Sequence, residues 1–135
     1  MSNSSFSPAL LATVAFGSAI GGAARYTLTI LAQPRAFAFP VGTLVVNVVG
    51  CLLIGILAEL ALSAGRLSPE ARVLLISGFC GGFTTFSTFS YESIELMQSG
   101  AWTRAALYVV VSVAAGLGAV WLGATLARVV AGPAA

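Results

Sequence analysis

The stretch GFCGGFTTFSTFS, Gly78 to Ser90, holds three glycines, four phenylalanines, five hydroxyl side chains and no charge. It sits inside the third of four long apolar stretches. These run from about Leu10 to Leu31, Val41 to Leu62, Val73 to Met97 and Ala105 to Val130. Each meets or exceeds the ~20 residues that cross a hydrocarbon core of ~30 Å as a helix. The connections between them are short and carry turn signals. Gln33 to Pro40 holds two prolines, Ser63 to Pro69 holds Ser, Gly, Arg and Pro, and Ser99 to Thr103 holds Gly100 and Trp102, a residue suited to the membrane interface. Ser68-Pro69-Glu70 reads as an N-cap, a proline at the first helical position and an acid in the first turn. The expectation is an all-α integral membrane protein, a single domain over 1–135 with four transmembrane helices.

Composition agrees with that reading. The 135 residues are 59% hydrophobic and 7% charged, with a mean hydropathy of +1.02, where soluble domains carry about 25% charged residues. The charges are six arginines and four glutamates, without Lys, Asp or His. A net charge of +2, scattered along the chain, excludes nucleic-acid binding as the main task. Serine proteolysis lacks a His or Lys base. The first arginine is Arg25, so the start lacks the basic region of a secretion signal. Cys51 and Cys80 fall within spans and read as small buried apolar residues, with no disulfide or metal framework implied.

Four spans put both termini and the second connection on one side of the membrane. Arg66, Arg72 and Arg128 fall there, while Arg35 and Arg104, with Arg25 near that end of the first span, fall on the other. Orientation follows a bias in such counts, and here the two sides nearly balance. Either other signals orient the chain, or it inserts both ways and pairs as an antiparallel homodimer. Small residues at i, i+4 or close to it (Gly17 and Gly21, Ser112 and Gly116, Gly118 and Gly123) suit close helix packing, within one subunit or between two.

Within the third span, Gly81-Gly82 disfavours a straight helix by ~1 kcal/mol per residue, and a break near the membrane centre is expected. Two outcomes remain open. Either the freed carbonyls turn toward a hard cation such as Na⁺, or the site is a kink in which Thr84 or Thr85 bonds back to a carbonyl. If helix resumes at 100° per residue, Phe86 and Phe89 share a face with Ser90 and Ser93, and Thr84, Ser87 and Thr88 share another. Ring edges and hydroxyl hydrogens both attract an anion without a fixed charge. The amide of Asn47 needs a partner, either an anion or a backbone carbonyl. Arg25 either snorkels to the headgroups or faces a watery vestibule. Tyr108 and Ser112, one turn apart, add donors. Glu92 and Glu95 would repel an anion and are expected at the membrane edge or hydrogen-bonded.

GFCGGFTTFSTFS, with VGTLVVNVVG and GGAARY before it, resembles the bacterial fluoride channel family known as Fluc or CrcB. The resemblance covers all four spans in order. It implies an antiparallel dual-topology homodimer in the bacterial inner membrane that passively exports fluoride through two pores, with a structural Na⁺ at the dimer centre. Phe86 and Phe89 would be the rings whose edges meet fluoride, and Asn47 the pore amide. Ser87, Thr88 and Ser90 match hydroxyl positions after the first ring, and Tyr108 and Ser112 match pore positions on the fourth helix. Arg25 matches a vestibule arginine, and Gly81 and Thr84 match the positions whose carbonyls hold Na⁺. Leu52 departs from the pattern, where an aromatic is more usual, and bears on second-helix packing. Two rival readings differ at named points. A small dual-topology proton-coupled exporter of another solute uses a buried Glu in its first span, and this chain has no Glu before Glu59. A four-helix assembly factor without transport activity would differ in flux.

Overall fold

The structure, a computed structural model, describes residues 7–35, 38–62 and 65–132. Four helical spans account for nearly all of it: Pro8–Ala32, Val41–Leu62, Pro69–Gln98 and Trp102–Ala131. The first and fourth begin ahead of their apolar cores. Ser7 caps α1 (Pro8–Ala32) by accepting from Leu10 N–H at 3.4 Å, and Pro8 takes the first turn, where its missing N–H costs nothing. Trp102 opens the last helix, α6 (Trp102–Ala131), instead of standing in the connection. At 1.5 Å per residue α6 is about 45 Å long, longer than a hydrocarbon core.

The chain turns are built from its own polar groups. Gln33 Nε2 donates to Phe39 C=O at 3.1 Å, and its Oε1 accepts from Gly42 N–H at 3.0 Å, which ties the end of α1 to the start of α2 (Val41–Leu62). Ser68 caps α3 (Pro69–Arg72), accepting from Ala71 N–H at 3.2 Å. Gly100, at φ +80°, closes α5 (Phe86–Gln98): Gly100 N–H donates to Met97 C=O and Ala101 N–H to Leu96 C=O. That is the two-bond helix ending for which glycine supplies the left-handed residue.

The third span is not one regular helix. After α3 it runs as a π-helix, Val73–Cys80, then a short turn, α4 (Gly81–Phe83), then α5. The wide π-turns pack on α1. Gly17 and Gly21 of α1 are buried against it, and Ser18 Oγ donates to Gly78 C=O at 3.2 Å. Between α4 and α5 the backbone is extended at Thr84 (φ −84°, ψ 159°) and Thr85 (φ −149°, ψ 111°). The interruption therefore lies after Gly81-Gly82, not at it. Both glycines are helical, and Gly82 answers a packing need: a Cβ there would stand 2.5 Å from Ser18 C=O of α1.

α2 lies along α6, with Gly123 facing Leu52 and Ile56. Gly17, Gly21 and Gly123 are thus used within the chain, whereas Gly118 meets nothing. The interior is thin: Val46, Ala61, Cys80, Phe83, Leu96, Ala105 and Tyr108 are buried, while Phe16, Leu31, Leu117, Trp121 and Val130 face outward. Large apolar side chains turned outward along four long helices suit lipid, not water. At one end three arginines serve the chain itself. Arg128 pairs with Glu59 at 2.9 Å, Arg66 donates to Ala131 C=O at 2.5 Å, and Arg72 donates to Ala61 C=O, so two helix C-termini receive positive charge.

Candidate functional site: a groove at the helix interruption

An isolated extended pair inside a helical span exposes polar backbone that lipid cannot satisfy. Asn47 resolves this for Thr85. Its Nδ2 donates to Thr85 C=O at 3.0 Å, and its Oδ1 accepts from Thr85 N–H at 2.8 Å. A continuous helix would have sent that N–H to Gly81 C=O, four residues back. Thr84 bonds back instead, with N–H and Oγ1 both reaching Cys80 C=O, at 3.0 and 2.9 Å. Thr85 also caps α5, its Oγ1 accepting from Thr88 N–H at 3.2 Å and donating to Thr88 Oγ1 at 2.9 Å. One amide and two threonines therefore hold the two helix segments in register.

The interruption forms one wall of a groove of about 320 Å³, bounded by Asn47, Cys51, Thr84, Phe86, Phe89 and Ser112 among others. None of the described residues that line it is charged. Phe86 and Phe89 lie with ring centroids 5.6 Å apart at 44°. Phe86 is 79% exposed, so one chain leaves most of this ring uncovered. Phe89 leans on Tyr108, centroids 5.3 Å apart. Asn47 gives one of its two N–H groups to Thr85 and also lines the groove. Ser112 Oγ is buried and has no hydrogen-bond partner among the described residues. Gly81 is open, with nothing near where a Cβ would stand.

Other expected residues fall elsewhere. Tyr108 is fully buried and does not line the groove, because its O–H donates to Glu92 Oε2 at 2.7 Å. Thr43 donates to the other oxygen, Glu92 Oε1, at 2.8 Å. Glu92 is thus held by hydrogen bonds, while Glu95 is exposed. Ser90 and Ser93 donate to their own helix, to Phe86 C=O and Phe89 C=O, at 2.9 and 2.7 Å. Ser87 is exposed, its Oγ 3.4 Å from Thr85 Oγ1. Arg25 stands apart from the groove, its Nε buried and without a hydrogen-bond partner among the described residues.

Sequence reasoning passed over Thr43 and Gly50, and read Thr85 only as a residue that could bond back to a carbonyl. A Cβ at Gly50 would collide with Thr84 Cγ2, so only glycine lets α2 approach the interruption. The signal was present: Thr43, Asn47 and Gly50 recur at four and three residues, which is one stripe of a helix. Taken together, the described lining carries an amide, hydroxyls and two phenyl rings and no charged side chain.

A family model described as "CrcB-like protein, Camphor Resistance (CrcB)" matches residues 12–124. Among similar proteins, one from Methylobacillus flagellatus named "Fluoride-specific ion channel FluC" is 48% identical over 117 residues, 85% of this chain and 91% of its own. One of the same name from Roseiflexus sp. is 48% identical over 117 residues, covering 86% and 94%. A third of that name, from Prosthecochloris aestuarii, is 44% identical over 124 residues, covering 92% and 95%.

Proposed function

The chain belongs to the CrcB-like family, and from that premise we propose that it is a fluoride channel, a multi-pass membrane protein and not an enzyme, which lets fluoride leave the cytoplasm down its gradient. The observation that carries this is the uncharged donor-lined groove beside the helix interruption. Fluoride is small and strongly hydrated, so a narrow path must replace its water with closely spaced donors, yet release it again. The second Asn47 N–H, the Ser112 hydroxyl and the edges of Phe86 and Phe89 meet both demands. A buried guanidinium would bind too well to let go. The gradient has a chemical source: hydrogen fluoride crosses membranes at acid pH and dissociates in the neutral cytoplasm.

The working unit in this reading is an antiparallel homodimer with two fluoride paths and a central Na⁺. Support comes from the uncovered Phe86 ring and the open surface at Gly81, which a second copy would close. The nearly even arginine count on the two sides supports insertion both ways. For the cation, Gly81 C=O has lost the N–H of Thr85 to Asn47, and Thr84 is extended. Carbonyls of that kind are the hard oxygen ligands that Na⁺ accepts, so the ion would link two chains and leave the fluoride step to the rings and hydroxyls. Interruption of the third span at mid-membrane belongs to the same proposal. Fluoride efflux from proteoliposomes, followed with an ion-selective electrode, tests it. Rapid release on adding an ionophore that balances charge is the expected result, and no release from folded protein would overturn it.

A further inference from the structure

The two cysteines of the chain come from different helices, yet both bound the same groove. We propose that Cys51 and Cys80 together form a site for a soft, two-coordinate cation of the Ag⁺ and Hg²⁺ class, and that its occupancy closes the anion path. The second half rests on the channel reading above; the first does not.

Three observations place both cysteines beside the interruption. The Cys51 turn of α2 abuts the interruption, because Gly50 beside it meets Thr84 and Phe83 directly. Thr84 is in turn bonded twice to the carbonyl of Cys80, so Cys80 lies one helical turn before Thr84 on the same side of the third span. Cys51 Sγ reaches α6, 3.4 Å from where a Cβ on Gly116 would stand. Ser112, one turn earlier on α6, adds a buried hydroxyl without a hydrogen-bond partner to the same wall.

Donor chemistry selects the ion. Two sulfurs among neutral oxygens (Asn47, Thr84, Thr85 and Ser112), with no carboxylate among the described lining residues and no histidine in the chain, make a poor site for Mg²⁺, Ca²⁺ or Zn²⁺. Zinc seeks four ligands, which two sulfurs do not supply, and the alkaline earths rely on carboxylates. Soft thiolate donors favour soft cations. On binding, each thiol gives its proton to water and each sulfur gives a lone pair to the metal, and nothing is oxidised or reduced. An ion held there stands beside Phe86, Phe89 and Ser112, where an anion would lose its water.

The test uses the full chain, reduced and purified, titrated with HgCl₂ while bound metal and released protons are counted. One Hg²⁺ per chain with two protons released is expected, and Cys51→Ser or Cys80→Ser should each release one proton per metal and bind roughly 10²–10⁴-fold more weakly, as loss of a tethered second ligand predicts. Two Hg²⁺ per chain, each releasing one proton, would show independent thiols and overturn the site, as would uptake equal to that of the double serine variant. Mercury should also stop fluoride efflux in the parent and spare the double variant. If mercury binds with two protons but efflux continues, the site stands and its place on the path is overturned. If no variant conducts fluoride with or without metal, the channel reading fails while the proton count still decides the site.

Discussion

At Asn47 a single amide meets both polar groups of Thr85, and this decides what the side chain is for. Its role had two readings in the sequence, a partner for backbone or a donor to an anion; the structure shows the backbone partner, and the donor role belongs to the proposed function. Asn47→Ala leaves Thr85 N–H and C=O without partners, at a cost on the order of 1–3 kcal/mol per group. A lower unfolding midpoint and lost flux should appear together. Asn47→Asp separates the roles. The carboxylate still accepts from Thr85 N–H but donates nothing and repels anions, so the stability loss should be smaller than for Ala while flux is still lost. Phe86 needs a different test, because its ring is mostly uncovered in one chain. Phe86→Ile should cut fluoride flux while dimer and fold survive, and normal flux would remove the ring-edge argument there.

The third span shows how far the sequence could be read at the level of elements. The run of glycines followed by hydroxyls announced irregular backbone, but glycine's poor helix propensity pointed to Gly81-Gly82. The structure keeps those residues helical, because α1 approaches so closely that Gly82 has no room for a side chain. The extended residues are the threonines, whose own hydroxyls offer the backbone alternative bonds. Which of two adjacent weak points yields depends on the neighbouring helix, and a single-chain pattern does not contain that. For the same reason Tyr108 read as a pore donor: its spacing from Ser112 was visible, its bond to Glu92 was not. Gly50→Ala should push α2 off Thr84 and cost about 1–3 kcal/mol as overpacking does, read as a lower thermal midpoint. Tyr108→Phe removes a bond to Glu92, whose side chain is held from α2 and α6, and a loss of roughly 0.5–3 kcal/mol is expected from chemical denaturation.

For the whole molecule, composition and span length alone identified four helices and a membrane, since no other environment accepts so apolar an exterior. Assembly is a larger claim, and it rests on what one chain leaves open: the Phe86 ring, the Gly81 face and a nearly even arginine count. If both orientations occur, reporters fused to the termini should label both sides of the membrane, and uniform labelling of one side would require a parallel or monomeric protein. If a cation joins the two chains, purification with Na⁺ replaced by a large organic cation should weaken the dimer and lower flux, and both should return when Na⁺ is restored.

The central claim is that an uncharged groove beside an interrupted helix conducts fluoride. Purified protein in liposomes loaded with fluoride, with release followed by electrode in the parent and in Phe86→Ile, tests that claim most directly. Rapid, charge-coupled release by the parent and a marked loss in the variant are predicted. Absence of release from folded parent protein, or equal release from both, would contradict it.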